Sequence, residues 1–237
     1  MRTMKLNQTF SASQLSSTGI YSFLNFASIE HYIKNQPFDD INYFCDGILS
    51  AAFFTLITRK KIQRVSFDFT SIAEPVFSHA SSHKNKIYFL GAEQHEINTF
   101  INKIKKKIPN LPISGYSSGY FDEQNEEKII EHIIQSDTKI AIIGLGAGKQ
   151  EDFLLKLKST GYSGIAFTCG GFIRQEANTT DRSYYPKLVN SLHLRSLYRM
   201  YREPHTISRY FIDYPRNLIK IIKLIASSKI KVATYTT

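Results

Sequence analysis

Apolar runs alternate with helix-period segments along most of the chain. Short apolar, β-branched-rich runs near residues 19–25, 41–45, 86–91, 111–116, 138–144 and 164–169 predict strands. Between them, apolar positions recur at helical spacing near 27–35, 47–58, 70–82, 94–107, 123–135, 149–159 and 183–200, which predicts helices. Asp122 stands ahead of Glu123, Glu126 and Glu127 and so places acids in a first helical turn. Lys103, Lys105, Lys106 and Lys107 crowd the end of the preceding helix, where the helix dipole favours cations. Strands separated by helices call for βαβ units. The expected fold class is therefore α/β, a Rossmann-like, mostly parallel sheet flanked by helices. There is no internal repeat and no heptad seam. The pattern changes near residue 190, which divides the expectation into an α/β body over 1–190 and a basic, amphipathic, helical appendage over 191–237.

With 237 residues and 42% hydrophobic content, the chain has enough apolar material for a sizeable core. It has no apolar run of the length that crosses a bilayer, and Met1–Phe10 lacks the apolar stretch of a signal peptide. Cys45 and Cys169 form neither a disulfide framework nor a metal motif, so a reducing cytoplasm is the simplest compartment.

Charge changes the picture at the C-terminal end. Nine basic residues lie between Arg195 and Lys231, opposed by Glu203 and Asp213 alone, so this stretch holds +7 of the chain's net +10. Tyr198, Tyr201, Tyr210, Phe211 and a series of isoleucines and leucines are interleaved with the charges. The commonest fate of such a run is a solvated helical face. The density of arginine together with large apolar groups points instead to an anionic partner: a lipid surface, phosphates or nucleic acid.

Candidate chemistry centres on Ile140–Glu151, where an apolar run opens through Gly144-Leu-Gly146-Ala-Gly148 onto Lys149-Gln150-Glu151 and a helix. A buried strand leading through glycines to a helix start is where α/β proteins hold phosphate-bearing ligands. An ordinary strand-to-helix turn is the competing reading. The Walker spacing fails because Gln150 follows Gly148-Lys149, and the dinucleotide fingerprint fails because its third glycine comes one residue early. Asp46, after Tyr43-Phe44-Cys45 and before Gly47, fits a general base at a strand's carboxyl end or, more commonly, a helix N-cap. Gly115–Phe121 and Cys169-Gly170-Gly171-Phe172 are two more strand-end glycine loops, and three such loops converge on one sheet edge. His79 and His83 lack an acid at useful spacing and read as surface residues. No Cys/His pair or nucleophile elbow signals a covalent nucleophile, and no D-x-D motif signals a metal-held nucleotide.

Four blocks in order resemble the WecG/TagA/CpsF glycosyltransferases, over roughly residues 20–218. Asp46-Gly47 is followed eighteen residues later by Arg64, and Gly115–Phe121 matches a G-x-x-x-G-Y-F element. Gly144–Glu151 looks like G-x-G-x-P-K-Q-E with Gly148 in place of proline. Arg199–Tyr210 matches a late R-x-x-x-E-P-x-x-x-x-R-Y element. Other departures are Phe67 where the family has a glycine, Phe23 where a Thr-x-Asn leaves only Asn25 in common, and Leu194-Arg195-Ser196 where Leu-Glu-Trp is usual. Ile173-Arg174-Gln175 also lacks the usual aspartate after G-G-x-F. These changes leave the donor sugar unassigned.

The resemblance implies an inverting transfer from a UDP-sugar to a polyprenyl-diphosphate-linked sugar, with no metal and no cofactor. It implies a cytoplasmic protein, peripheral on the anionic inner face of the membrane, for which a homo-oligomer is an allowed assembly. On the residues it implies Asp46 as the catalytic base. Asn25, Arg64, Gly144, Gly146 and Gln150 would bind substrate, Glu151 would cap its helix, and Arg199, Arg202 and Arg209 would close over a diphosphate. A different class competes: a non-catalytic basic α/β protein that binds nucleic acid through its tail. The charge favours it, and no RNP, helix-turn-helix or zinc-finger motif supports it.

Overall fold

The computed structural model describes residues 1–179, 198, 200, 201 and 207–236. Eight strands form one sheet: β1 Arg2–Asn7, β2 Gly19–Leu24, β3 Asn42–Cys45, β4 Ile87–Gly91, β5 Ile113–Ser117, β6 Ile140–Gly144, β7 Ile165–Thr168 and β8 Ile230–Tyr235. Their order is β5-β4-β6-β7-β2-β3-β1-β8, and every pairing is parallel. The helices are α1 Ile29–Lys34, α2 Ile48–Thr58, α3 Ala73–His83, α4 Gln94–Lys107, α5 Glu123–Gln135, α6 Lys149–Ser159, α7 Phe172–Ala177 and, after a π-helical turn at Arg209–Asp213, α8 Tyr214–Ala226. This is the expected Rossmann-like class.

The period-two alternation of the strands sorts the core into two layers. Tyr43, Cys45, Leu90, Ala141 and Ile143 point to the face covered by α1, α2, α5, α6 and α8. Phe44, Phe89, Ile142, Ile165 and Phe167 point to the other, under α3, α4 and α7. The central strands β4 (IYFLG) and β6 (IAIIG) are apolar throughout because both their faces are covered.

The helix-end cues behave as the residues suggest. Asp122 caps α5 by accepting from the Asn125 amide at 2.8 Å. Lys105, Lys106 and Lys107 sit in the last turn of α4, and the Lys107 ammonium lies 3.2 Å from the centre of the Phe69 ring. Lys103 serves a neighbouring helix instead. Its Nζ donates to the carbonyls of Glu176, Ala177 and Thr179 and so caps the end of α7.

β1, β8 and α7 were not among the expectations, and α8 falls inside the helical appendage expected over 191–237, where no individual helix was placed at 214–226. β1 and β8 pair in register from Arg2↔Ile230 to Asn7↔Tyr235. The described part of the 191–237 segment is thereby joined to the body. On α8, Ile221 is fully buried, and the buried Asn217 donates its Nδ2 to the Phe26 carbonyl at 2.8 Å. Most of the helix expected over 183–200 lies outside the described residues.

Docking of α8 has a measurable consequence. Ile221→Ala should lower the unfolding free energy in urea by about 2–4 kcal/mol, the cost of emptying a buried isoleucine site. Ile219→Ala, at a position 55% exposed, should stay within about 0.5 kcal/mol of the parent. Equal effects would mean that α8 is not packed on the sheet.

Candidate active site

In an all-parallel sheet every strand ends on the same edge, and ligands bind in the crevice beyond those carboxyl ends. Along that edge come the loops after β5, β4, β6 and β7, then Asn25 after β2 and Asp46-Gly47 after β3. The glycine loops meet backbone to backbone. A Cβ on Gly91 would stand 2.6 Å from the Gly144 carbonyl oxygen, and one on Gly144 would stand 2.9 Å from both Cys169 Sγ and the Gly170 oxygen. The strand ends pack so closely here that a side chain on either glycine has no room, and the floor of the crevice is largely main chain. Above Gly146 and Gly170 there is open space, with no atom within 4 Å of where a Cβ would lie.

The turn between β6 and α6 is held from below by Glu151. This carboxylate is 4% exposed. Its Oε2 accepts from the Gly148 amide at 2.7 Å, and its Oε1 accepts from Ser22 Oγ at 2.5 Å and Gln150 Nε2 at 3.0 Å. Thr168 Oγ1 donates to Ser22 Oγ at 3.0 Å, so the Ser22 proton points to Glu151. Gln150 is 5% exposed, and its Oε1 accepts from the Gly170 amide at 3.3 Å. The expected ligand contact Gln150 is thus placed under the crevice floor, where it ties the β6–α6 turn to the β7–α7 loop.

Gly148 explains one departure from the family pattern. Its φ is +90°, and a Cβ there would lie 2.6 Å from His31 Nδ1 on α1. Proline, with φ fixed near −65°, cannot take this conformation and has no N–H for Glu151.

Asp46 and Arg64 are brought together. Arg64 lies beside the end of β3 through a parallel bridge to Cys45, and its Nη2 is 3.7 Å from Asp46 Oδ1. The same nitrogen donates to Ser66 Oγ at 2.5 Å and Asp68 Oδ2 at 3.2 Å, while Ser66 Oγ donates to Asp68 Oδ2 at 2.7 Å. Gly47 holds the N-cap position of α2, with no side-chain cap. The Asp46 carboxylate is about one-third exposed and lies at the edge, at the end of β3. Asn25 folds its Oδ1 back to the amides of Ala27 and Ser28 at 2.9 and 3.0 Å and shapes the loop next to Asp46. Ser66, Asp68, Ser22 and Thr168 escaped the sequence reading. A signal for the first two exists in the alternation Arg64-Val65-Ser66-Phe67-Asp68, which puts three polar groups on one side of an extended segment.

Arg199 and Arg202 lie outside the described residues, and Arg209 opens the π-helical turn before α8. Burial, reinforced by the charge of Asp46, raises the Cys45 thiol pKa, and burial pushes Cys169 up to about 12. Neither is a thiolate nucleophile at neutral pH. Among the described residues no group of three His, Cys, Asp or Glu side chains could hold a metal ion. A second cleft of about 610 Å³ opens between β5 and α5, lined by Tyr88, Ser117, Tyr120, Asn125 and His132. β5 lies five interstrand spacings from β3, roughly 24 Å, so this cleft does not share the space at Asp46.

A family model for the "Glycosyl transferase WecG/TagA/CpsF family" matches residues 12–231. A UDP-Gal:alpha-D-GlcNAc-diphosphoundecaprenol beta-1,4-galactosyltransferase of Shigella boydii is 34% identical over 93% of this chain and 92% of its own length. An N-acetylglucosaminyldiphosphoundecaprenol N-acetyl-beta-D-mannosaminyltransferase of Bacillus spizizenii is 27% identical over 75% of this chain and 66% of its own. A protein of the same description from Bacillus subtilis is 22% identical over 81% and 74%.

The turn is open to test. Gly148→Pro removes the amide that Glu151 accepts from and imposes an incompatible φ. It should destabilise the protein by about 3 kcal/mol or more, read as a lowered urea midpoint. Glu151→Ala, which strands the donors of Ser22, Gly148 and Gln150, should cost about 2–4 kcal/mol. Wild-type midpoints in both variants would mean that the buried network does not hold the turn.

Proposed function

This chain belongs to the WecG/TagA/CpsF family and is a glycosyltransferase, and we propose that it moves a sugar from a UDP-sugar to a polyprenyl-diphosphate-linked saccharide, with inversion and without a metal ion. The observation that carries the reading is the Asp46–Arg64 pair at the sheet edge, beside a crevice floored by glycine backbone. The enzyme class displaces the competing reading of a nucleic-acid-binding tail.

In this proposal the donor diphosphate lies over the Gly144–Gly148 turn. There the open backbone above Gly146 would let the diphosphate approach closely, and the exposed Lys149 at the start of α6 would offset the charge that develops on the leaving UDP. From β6 to β3 is three interstrand spacings, about 14 Å, a distance that a nucleotide-sugar lying along the edge spans toward Asp46. The acceptor hydroxyl oxygen attacks the anomeric carbon, the bond from that carbon to the UDP oxygen breaks, and Asp46 takes the hydroxyl proton. Arg64 orients the Asp46 carboxylate and meets phosphate oxygens. Asn25 shapes the neighbouring loop, and Gln150 positions the turn from beneath. Arg199, Arg202 and Arg209 would supply further positive charge to the diphosphates. The β-linked products in the relatives' names support inversion, since UDP-hexoses are commonly α-linked, and the Shigella relative makes UDP-galactose the first donor to test.

The proposed location is the inner membrane face, with peripheral attachment. Among the described residues no helix is long and apolar enough to cross a membrane. Attachment would run through the 191–237 segment, where Phe211, Ile212, Ile219 and Ile222 are exposed close in sequence to Lys220 and Lys223.

Asp46→Asn should lower kcat at least about a hundredfold while UDP binding survives, and activity should persist in excess chelator. Near-normal turnover in the variant, or dependence on added divalent metal, would refute the corresponding part. Charge reversal at both Lys220 and Lys223 should weaken sedimentation with anionic vesicles about tenfold or more, at about 1 kcal/mol per lysine removed. Unchanged sedimentation would remove α8 from the membrane contact.

A further inference from the structure

α2 differs from the other helices. Its sequence, Ile48-Leu-Ser-Ala-Ala-Phe-Phe-Thr-Leu-Ile-Thr58, contains no charge, yet only part of it is buried. Phe54 and Ala51 face the core, while Leu49 is 66% exposed and Leu56 78%. Ile48, Ala51, Ala52, Thr55 and Leu56 fall at i, i+3, i+4, i+7 and i+8, one stripe of a helix. With Ile62 and Arg64 opposite, this stripe lines a groove of about 560 Å³. The Thr55 hydroxyl is satisfied internally: it donates to the Ala51 carbonyl at 2.8 Å and accepts from the Ile62 amide at 3.0 Å. The groove is therefore apolar along its length, about 12 Å from Ile48 to Leu56 at the helical rise. Among the described residues that line it, Arg64 is the one charged group, and it is also the residue 3.7 Å from Asp46.

An apolar groove with a guanidinium at the Asp46 side fits an amphiphile that has an anionic head and a hydrocarbon tail. We infer that this groove holds the first isoprene units of the lipid-diphosphate acceptor, with the diphosphate at Arg64, an inference that rests on the transferase reading. The charge complementarity is specific. Asp68 and Ser66 engage Nη2 of Arg64, and the several donors of a guanidinium fork suit the oxygens of a phosphate. The tail runs along α2 and leaves past Leu56, where Arg59, Lys60 and Lys61 are exposed and can meet anionic headgroups. The groove thus presents the acceptor's diphosphate-linked sugar to Asp46 from the side opposite the glycine turn.

The test titrates the full-length protein with farnesyl diphosphate and with inorganic diphosphate. Farnesyl diphosphate should bind at least tenfold more tightly. The Ala52→Gln/Leu56→Gln double variant, altered at two exposed helical positions and checked by circular dichroism, should lose most of that advantage and keep its affinity for inorganic diphosphate. Equal affinities for the two ligands in the parent, or an advantage intact in the double variant, would overturn the inference. Two patterns would give the groove to another occupant and also overturn it. One is a dimer that the double variant dissociates while the farnesyl advantage stays; the other is loss of vesicle binding with that advantage intact. Sugar transfer to a prenyl-diphosphate-linked N-acetylglucosamine is scored apart. Its absence alongside the expected binding pattern would sink the transferase reading and leave the groove, whereas transfer that ignores both substitutions would sink the groove alone.

Discussion

A buried carboxylate, with no cation beside it among the described residues, holds the crevice edge of the sheet in shape. Removing a carboxylate from water costs several kcal/mol unless donors replace the hydration. Glu151 meets that demand with Ser22 Oγ, Gln150 Nε2 and the Gly148 amide, at the N-terminus of α6 where the helix dipole favours negative charge. Each donor belongs to a different part of the edge. Ser22 is on β2 and takes its own hydrogen bond from Thr168 on β7, and Gln150 reaches the Gly170 loop. One acid therefore fixes the β6–α6 turn relative to β2 and β7, and with it the open space above Gly146. The crevice needs this support because its floor is built largely of glycine backbone.

Most of the fold was legible because burial writes a simple pattern. Six strands and the helices from α1 to α6 fall where apolar period and helix-end chemistry put them. β1 and β8 were not seen for a physical reason. Thr3-Met4-Lys5-Leu6 and Ile230-Lys231-Val232 alternate properly, but they form the last pair at one end of the sheet and carry lysines there. In the sequence, those lysines merge with the basic character of the tail and of the N-terminus. α7 has six residues, too few for a period to show, and a lysine far away on α4 completes its end.

The site was legible where its partners are local and obscure where they are not. The eighteen-residue spacing from Asp46 to Arg64 marks two positions that meet at the edge of β3. Asp46 by itself fitted two readings, and the structure puts Gly47 in the N-cap position that the second one required. Gln150 shows the opposite case. Next to a glycine turn, an amide side chain looks like a ligand contact. Its burial is decided by Gly170, twenty residues on, and its neighbour's partner Ser22 is 129 residues back. No local pattern carries that information.

The glycine turn and the α2 groove differ in chemistry, and under the proposed function that difference orders the substrates. In the proposed reaction the glycine side offers open space above Gly146 and the exposed Lys149, which suit a diphosphate that must leave with growing negative charge. The α2 side offers hydrocarbon ending at Arg64. A UDP-sugar brings two phosphates and no apolar tail, so it gains nothing from the α2 side. A prenyl diphosphate gains from both Arg64 and the apolar stripe. In the proposed reaction Asp46 lies between the glycine turn and the α2 groove, so a proton would leave the acceptor on one side while the nucleotide departs on the other. Under the inferred occupancy, the exposure of Leu56 follows as a functional demand, because a wall that receives a lipid chain cannot be sealed into the core.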